Sequence, residues 1–125
     1  MIAALRAAAL ALAVGATAAV AQDGGDGLAE ASGAVLRGLD KVSATASDIV
    51  LAVGQTVEFG HLQVTLKECR YPADDPSSNA YAYLIITDPN VAQPVFEGWM
   101  IADSPALSAL DHQRYDVWVM RCKTD

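Results

Sequence analysis

Between Gln55 and Lys67 polar and apolar residues alternate on both sides of a glycine-containing break: Gln55-Thr56-Val57-Glu58-Phe59, then Gly60-His61, then Leu62-Gln63-Val64-Thr65-Leu66-Lys67. A period of two sends successive side chains to opposite faces of an extended chain, so this pattern predicts a β-hairpin with one buried face. Val57, Phe59, Leu62, Val64 and Leu66 form the inward set. Cys69 then falls on the opposite parity, and it can reach the interior only if the strand bulges or ends before it.

Other segments read in the same way. Ala34 to Asp40 and the β-branched, largely apolar run from Thr45 to Val53 are expected strands. Tyr71 to Asn79, with two prolines, two aspartates and two serines, reads as a surface loop. Tyr81 to Thr87 carries apolar residues on both parities and is expected to be buried on both faces. Asp88-Pro89-Asn90 makes a turn, and Val95 to Ile101 and Asp116 to Cys122 complete the strands. In the last of these Trp118, Met120 and Cys122 share one face and Val117 and Val119 the other. Ser104-Pro105 has the form of an N-cap and first helical residue, which predicts one short helix over Pro105 to Leu110. The expected fold class is all-β, a small sandwich or barrel of about six or seven short strands with one short helix.

The front of the chain has the form of an export signal. Arg6 supplies the positive n-region, Ala7 to Ala16 the apolar run, and Ala19-Val20-Ala21 the small-x-small pattern read by signal peptidase, so cleavage is expected after Ala21. The apolar run falls short of the about 20 residues a membrane span requires, and the mature chain offers no other candidate span. The expected organisation is therefore a signal peptide over 1–21, a flexible polar leader over 22–32 and one β domain over 33–125. The leader is mostly Gly, Asp, Ala and Glu, a composition with little apolar surface to bury.

Export bears on the cysteines. Cys69 and Cys122 are the two in the chain, and in an oxidising compartment a pair is expected to form one disulfide. Closing a loop of roughly 54 residues stabilises a fold by about 4 kcal/mol in the chain-entropy treatment. The spacing is not that of a Cys-x-x-Cys redox pair, and with His61 and His112 it gives no paired zinc pattern, so no cofactor or metal is expected. The formal net charge is −7, and loss of Arg6 with the signal makes the exported form one charge more negative. A surface of that sign with scattered basic residues argues against nucleic acid as a partner.

The C-terminal third is dense in residues that carry chemistry. Phe96-Glu97-Gly98-Trp99-Met100, Ser104-Pro105-Ala106-Leu107, Leu110-Asp111-His112 and Tyr115-Asp116-Val117-Trp118-Val119, ending at Cys122, resemble the signature of the bacterial DUF2155 family. Gly33 to Lys41, Val53-Gly54-Gln55-Thr56-Val57, Phe59-Gly60-His61-Leu62 and Cys69 fit the same pattern, so the resemblance covers roughly residues 33 to 123. Members often have proline after the histidine, where this chain has Gln113, a difference that bears on loop rigidity. The resemblance implies an exported, mainly alphaproteobacterial protein with a partner at the inner membrane such as a respiratory complex. It carries over no active site.

Three functions can be set against these residues. A non-catalytic interaction or accessory module would use Trp99, Met100, His112, Arg114, Tyr115 and Trp118, residue types enriched where interfaces bury their anchors. Against this, both tryptophans could simply fill the core beside the disulfide. A glycan or peptidoglycan binder would need an exposed planar row of aromatics, for which Tyr71, Tyr81 and Tyr83 are the candidates. A small hydrolase would combine Asp111, His112 and Asp116 with Ser104 or Ser108, yet no Gly-x-Ser-x-Gly elbow is present and sequence neighbours rarely supply triad geometry. The interaction module is the expected function.

Overall fold

The computed structural model describes residues 27–124, so the expected signal peptide lies outside the described residues. Eight strands form two antiparallel sheets: β1 (Leu28–Glu30), β2 (Gly33–Asp40), β3 (Thr45–Ala52), β4 (Thr56–Phe59), β5 (Leu62–Pro72), β6 (Tyr81–Thr87), β7 (Phe96–Ile101) and β8 (Tyr115–Lys123). One sheet runs β1-β5-β6-β7, with β4 also on β5, and the other runs β3-β2-β8. Their inner faces meet in a sandwich whose core includes Leu36, Leu51, Leu62, Leu66, Leu84, Ile86 and Val119. Among the described residues no helix is long and apolar enough to cross a membrane.

The β4–β5 hairpin forms as its alternation requires, with Phe59 opposite Leu62 and Leu62, Val64 and Leu66 fully buried. β5 runs on to Pro72, beyond the expected loop boundary. Its pairing with β6 slips between Leu66 and Glu68, and this bulge switches the inward parity so that Cys69 is buried. A second slip, where Val35 pairs with Arg121 and Leu36 with Val119, does the same for β8. Cys122 therefore shares the inner face with Val117 and Val119, not the outer face with Trp118 as alternation alone indicated. The two bulges bring the cysteines together across the sheets as a disulfide with a Cα–Cα distance of 5.8 Å.

Three further expectations are corrected. The segment 22–32 is not leader throughout, because Leu28–Glu30 pairs with Arg70–Pro72 and Ala31 N–H donates to the Cys69 carbonyl at 2.8 Å. β6 buries one face only: Ala82, Leu84 and Ile86 are inside, while Tyr81, Tyr83 and Ile85 are half-exposed on the other side. The Pro105–Leu110 helix shrinks to a single 3-10 turn over Pro105–Leu107, and Ser104 makes no side-chain cap. One turn gains too few backbone hydrogen bonds to extend when none of its own residues is buried.

Candidate functional site

The six candidate interface residues do not form one surface. Met100 and Tyr115 are each only 2% exposed and belong to the core, because the inward parity of β7 and β8 falls on them. Trp99 and Trp118 are half-buried. Trp99 pairs with Tyr83 on the outer face of the five-stranded sheet. Trp118 pairs with Arg37 between the inward Val117 and Val119, which puts it on the outer face of the three-stranded sheet. The tryptophans thus lie on opposite sides of the sandwich, and neither is the core filler beside the disulfide. His112 and Arg114 lie at one end, where the loop entering β8 meets three turns.

At that end Tyr115 is the centre. Its ring packs edge-on against Phe59 with centroids 5.5 Å apart, lies 5.2 Å from the His112 ring, and sits under the Arg114 guanidinium at 5.2 Å. Its hydroxyl accepts the His61 N–H at 3.2 Å. Gly60 and Gly38 make this packing possible: a Cβ at Gly60 would meet the Tyr115 ring at 2.6 Å, and one at Gly38 would meet Phe59 at 2.5 Å.

Polar groups surround the ring. Arg114 donates two hydrogen bonds to Asp40, at 3.1 and 2.9 Å, and Asp40 also accepts the Val42 N–H at 3.0 Å. The guanidinium, with these amide contacts, holds the Asp40 carboxyl down to about 2, and Asp40 in turn raises the Arg114 pKa. Lys41 Nζ donates to the His112 carbonyl at 2.8 Å. His112 Nδ1 accepts the N–H groups of Arg114 at 3.0 Å and Tyr115 at 3.3 Å, which assigns the ring proton to Nε2, donating to Asp88 at 3.0 Å. Asp88 is the buried acid of the described residues. The His112 contact, followed by the Asn90 N–H, lowers its pKa.

An open cleft of about 500 Å³ borders this network, lined in part by His61, Asp88, Asn90, Asp111, His112 and Tyr115. Both nitrogens of His112 are engaged, and no serine, threonine or cysteine lines the cleft. Asp116 instead faces Lys41 at 3.7 Å, and Ser104 and Ser108 flank the 3-10 turn. The arrangement does not assemble the Asp111, His112, Asp116 and serine set. What it does chemically is tie the 111–115 loop to the β2–β3 and β6–β7 turns.

The second cluster was only partly visible in sequence. On the outer face of the five-stranded sheet Arg70 lies opposite Tyr81 and Tyr81 opposite Ile101; in the next row Glu68 lies opposite Tyr83 and Tyr83 opposite Trp99. Tyr83 and Trp99 meet edge to face at 5.3 Å and 83°. The Arg70 guanidinium lies 5.5 Å over the Trp99 ring and is held by Glu68 at 2.8 Å. Desolvation, with Glu97 nearby, raises the Tyr83 pKa. Tyr71 has the opposite parity and does not join this face. Arg70 could have been found from sequence only by knowing the bulge at Lys67, which sets the parity of everything after it.

Comparison with known proteins adds a family. The family model described as "Uncharacterized protein conserved in bacteria (DUF2155)" matches residues 34–122. An uncharacterised protein of Rickettsia prowazekii (strain Madrid E) is 29% identical over 87 residues, which cover 67% of this chain and 56% of the relative. The match thus spans little more than half the relative's length. No solved structure matches the chain significantly.

Proposed function

As the chain belongs to the DUF2155 family of bacterial proteins, we propose that it is an exported, periplasmic and non-catalytic module that docks on a protein partner at the inner membrane, in the manner of an accessory factor for a respiratory or other envelope complex. The observation that carries this reading is the outer face of the five-stranded sheet. There Tyr81, Tyr83, Ile85, Trp99 and Ile101 stand half-exposed on the face that also carries Arg70. Aromatic and arginine side chains that already restrict one another bury large area on binding at little entropic cost, the property of interface anchors. Of the six residues first considered, Trp99 stays in the proposed surface; Met100 and Tyr115 leave it.

The glycan-binding alternative is less well supported by the same geometry. Sugar stacking requires an open aromatic face, whereas Tyr83 stands edge-on to Trp99 and Arg70 lies over the Trp99 ring. Export is supported by the signal pattern and is compatible with the disulfide.

The test uses the protein recovered from native membranes and periplasm after mild crosslinking. Wild type is compared with Tyr81→Ala/Trp99→Ala, of confirmed fold, and with Leu107→Ala, at a site 76% exposed elsewhere. Recovery of one inner-membrane complex by wild type and Leu107→Ala, and its loss from the double variant, is the expected result. Equal recovery by all three, or recovery of none, overturns the reading. N-terminal sequencing of the periplasmic protein should begin at Gln22.

A further inference from the structure

We propose that β3 is a self-pairing edge, through which two copies of this chain join antiparallel about a twofold axis at Asp48 to extend the three-stranded sheet across both molecules.

An edge strand presents unpaired N–H and C=O groups, and proteins blunt such edges with short strands, prolines, unpaired charged side chains (lysine above all), bulges or coverings. Among the described residues the other edges carry such devices. β1 and β4 have three and four residues, β8 is bulged and flanked by the Pro105–Leu110 segment, and β7 lies beside the 3-10 turn and β8. β3 has eight residues, no proline, an unbroken register with β2 from Gly33↔Ala52 to Asp40↔Thr45, and a single charge, Asp48, which Arg37 of β2 pairs at 2.9 Å.

Which backbone groups point outward follows from two hydrogen bonds. Val53 N–H donates inward to the Ser32 carbonyl, whereas Ala52 N–H goes to its own turn's Gln55 side chain. Antiparallel strands alternate bonded and non-bonded positions, so Ala46, Asp48 and Val50 turn their N–H and C=O to the open edge. These three positions are symmetric about Asp48. Pairing β3 antiparallel with a second copy, Asp48 opposite Asp48 and Ala46 opposite Val50, uses all three and closes about six hydrogen bonds, two per bonded pair.

The side chains fit the same register. Val50, in the middle of the edge, is 53% exposed, one of the five exposed large hydrophobics among the described residues. The twofold sets Val50 of each copy against Ala46 of the other, on either side of Asp48. Facing aspartates repel, but each is held by its own Arg37 at 2.9 Å, so the row Arg37, Asp48, Asp48, Arg37 is neutral. A twofold contact of one patch with itself is the commonest form of assembly. It lies on a different sheet from the Trp99 surface and does not depend on it.

Sedimentation of the purified, processed protein over a concentration series tests this. Wild type should sediment at twice the mass of one chain. Val50→Pro removes only an outward N–H and leaves the bonds to β2 in place; it should halve the observed mass while retaining native circular dichroism. Asp48→Cys decides the matter should Val50→Pro not fold. Opposed bonded positions lie roughly 5.5 Å apart, inside the disulfide range of about 4.4–6.8 Å, so mild oxidation should give a covalent dimer that Val91→Cys, exposed elsewhere, does not give. Wild type at the mass of one chain throughout, a folded Val50→Pro that stays dimeric, or equal crosslinking by Asp48→Cys and Val91→Cys overturns the proposal.

Discussion

Replacing Gly60 by alanine should be among the most damaging single-methyl changes available to this chain. Gly60 has φ +61°, where an L-residue crowds its own carbonyl at a cost of about 1–2 kcal/mol. Its added Cβ would also fall 2.6 Å from the Tyr115 ring, which cannot swing aside because Phe59, His112 and Arg114 pack round it. Overpacking of that kind costs about 1–3 kcal/mol, so the sum is about 2–5 kcal/mol, a large share of a small domain's stability. Gly54→Ala is the matched control: φ is +90° but nothing lies within 4 Å of the new methyl, so the conformational cost stands alone. Urea titration of both variants with the disulfide intact should give unchanged slopes and a midpoint far lower for Gly60→Ala than for Gly54→Ala. Equal midpoints would refute the reasoning, because the packing of Tyr115 on Gly60 would then carry no weight.

Other perturbations probe other links. Cys69→Ala/Cys122→Ala should lower stability by up to about 4 kcal/mol, the loop-closure value for the chain between them, read as a fall in thermal midpoint that dithiothreitol reproduces in wild type. The Asp40 carboxyl titrates at about 2 in the folded protein against 3.8 as its ordinary value, so its contribution is complete above that ordinary value and is lost as pH falls through the window between them. Asp40→Asn should flatten the acid limb of the melting-temperature profile, leaving the part due to Asp88, which shifts in the same direction. His112→Phe removes the acceptor of the Arg114 and Tyr115 amides, and both should exchange faster in hydrogen-exchange measurements while amides in β5 and β6 are unchanged.

The hairpin, the turn at Asp88-Pro89-Asn90 and most strand positions were legible because alternation and turn residues are local signals. β3 and β6 agree with their sequence-derived spans to within a residue. The candidate site was much less so. His112 and Arg114 were picked out by residue type, but their partners Asp88 and Asp40 lie 24 and 74 positions away and carry no signal of their own. Tyr115 and Met100 have the same types as interface anchors, and only their parity against the core reveals that they are inside.

The sequence by itself determined a β protein with a cysteine pair and an acidic charge, since period-two patterning, cysteine number and formal charge are properties of the chain read locally. Tertiary structure decided which face each residue occupies. Two bulges, one before each cysteine, shift parity by one and turn both inward for the disulfide. The slip in β5 likewise carries Arg70 to the outer face with Trp99. A one-residue slip reverses every side chain that follows it. Its position depends on how two sheets fit together, and no local stretch of sequence records that fit.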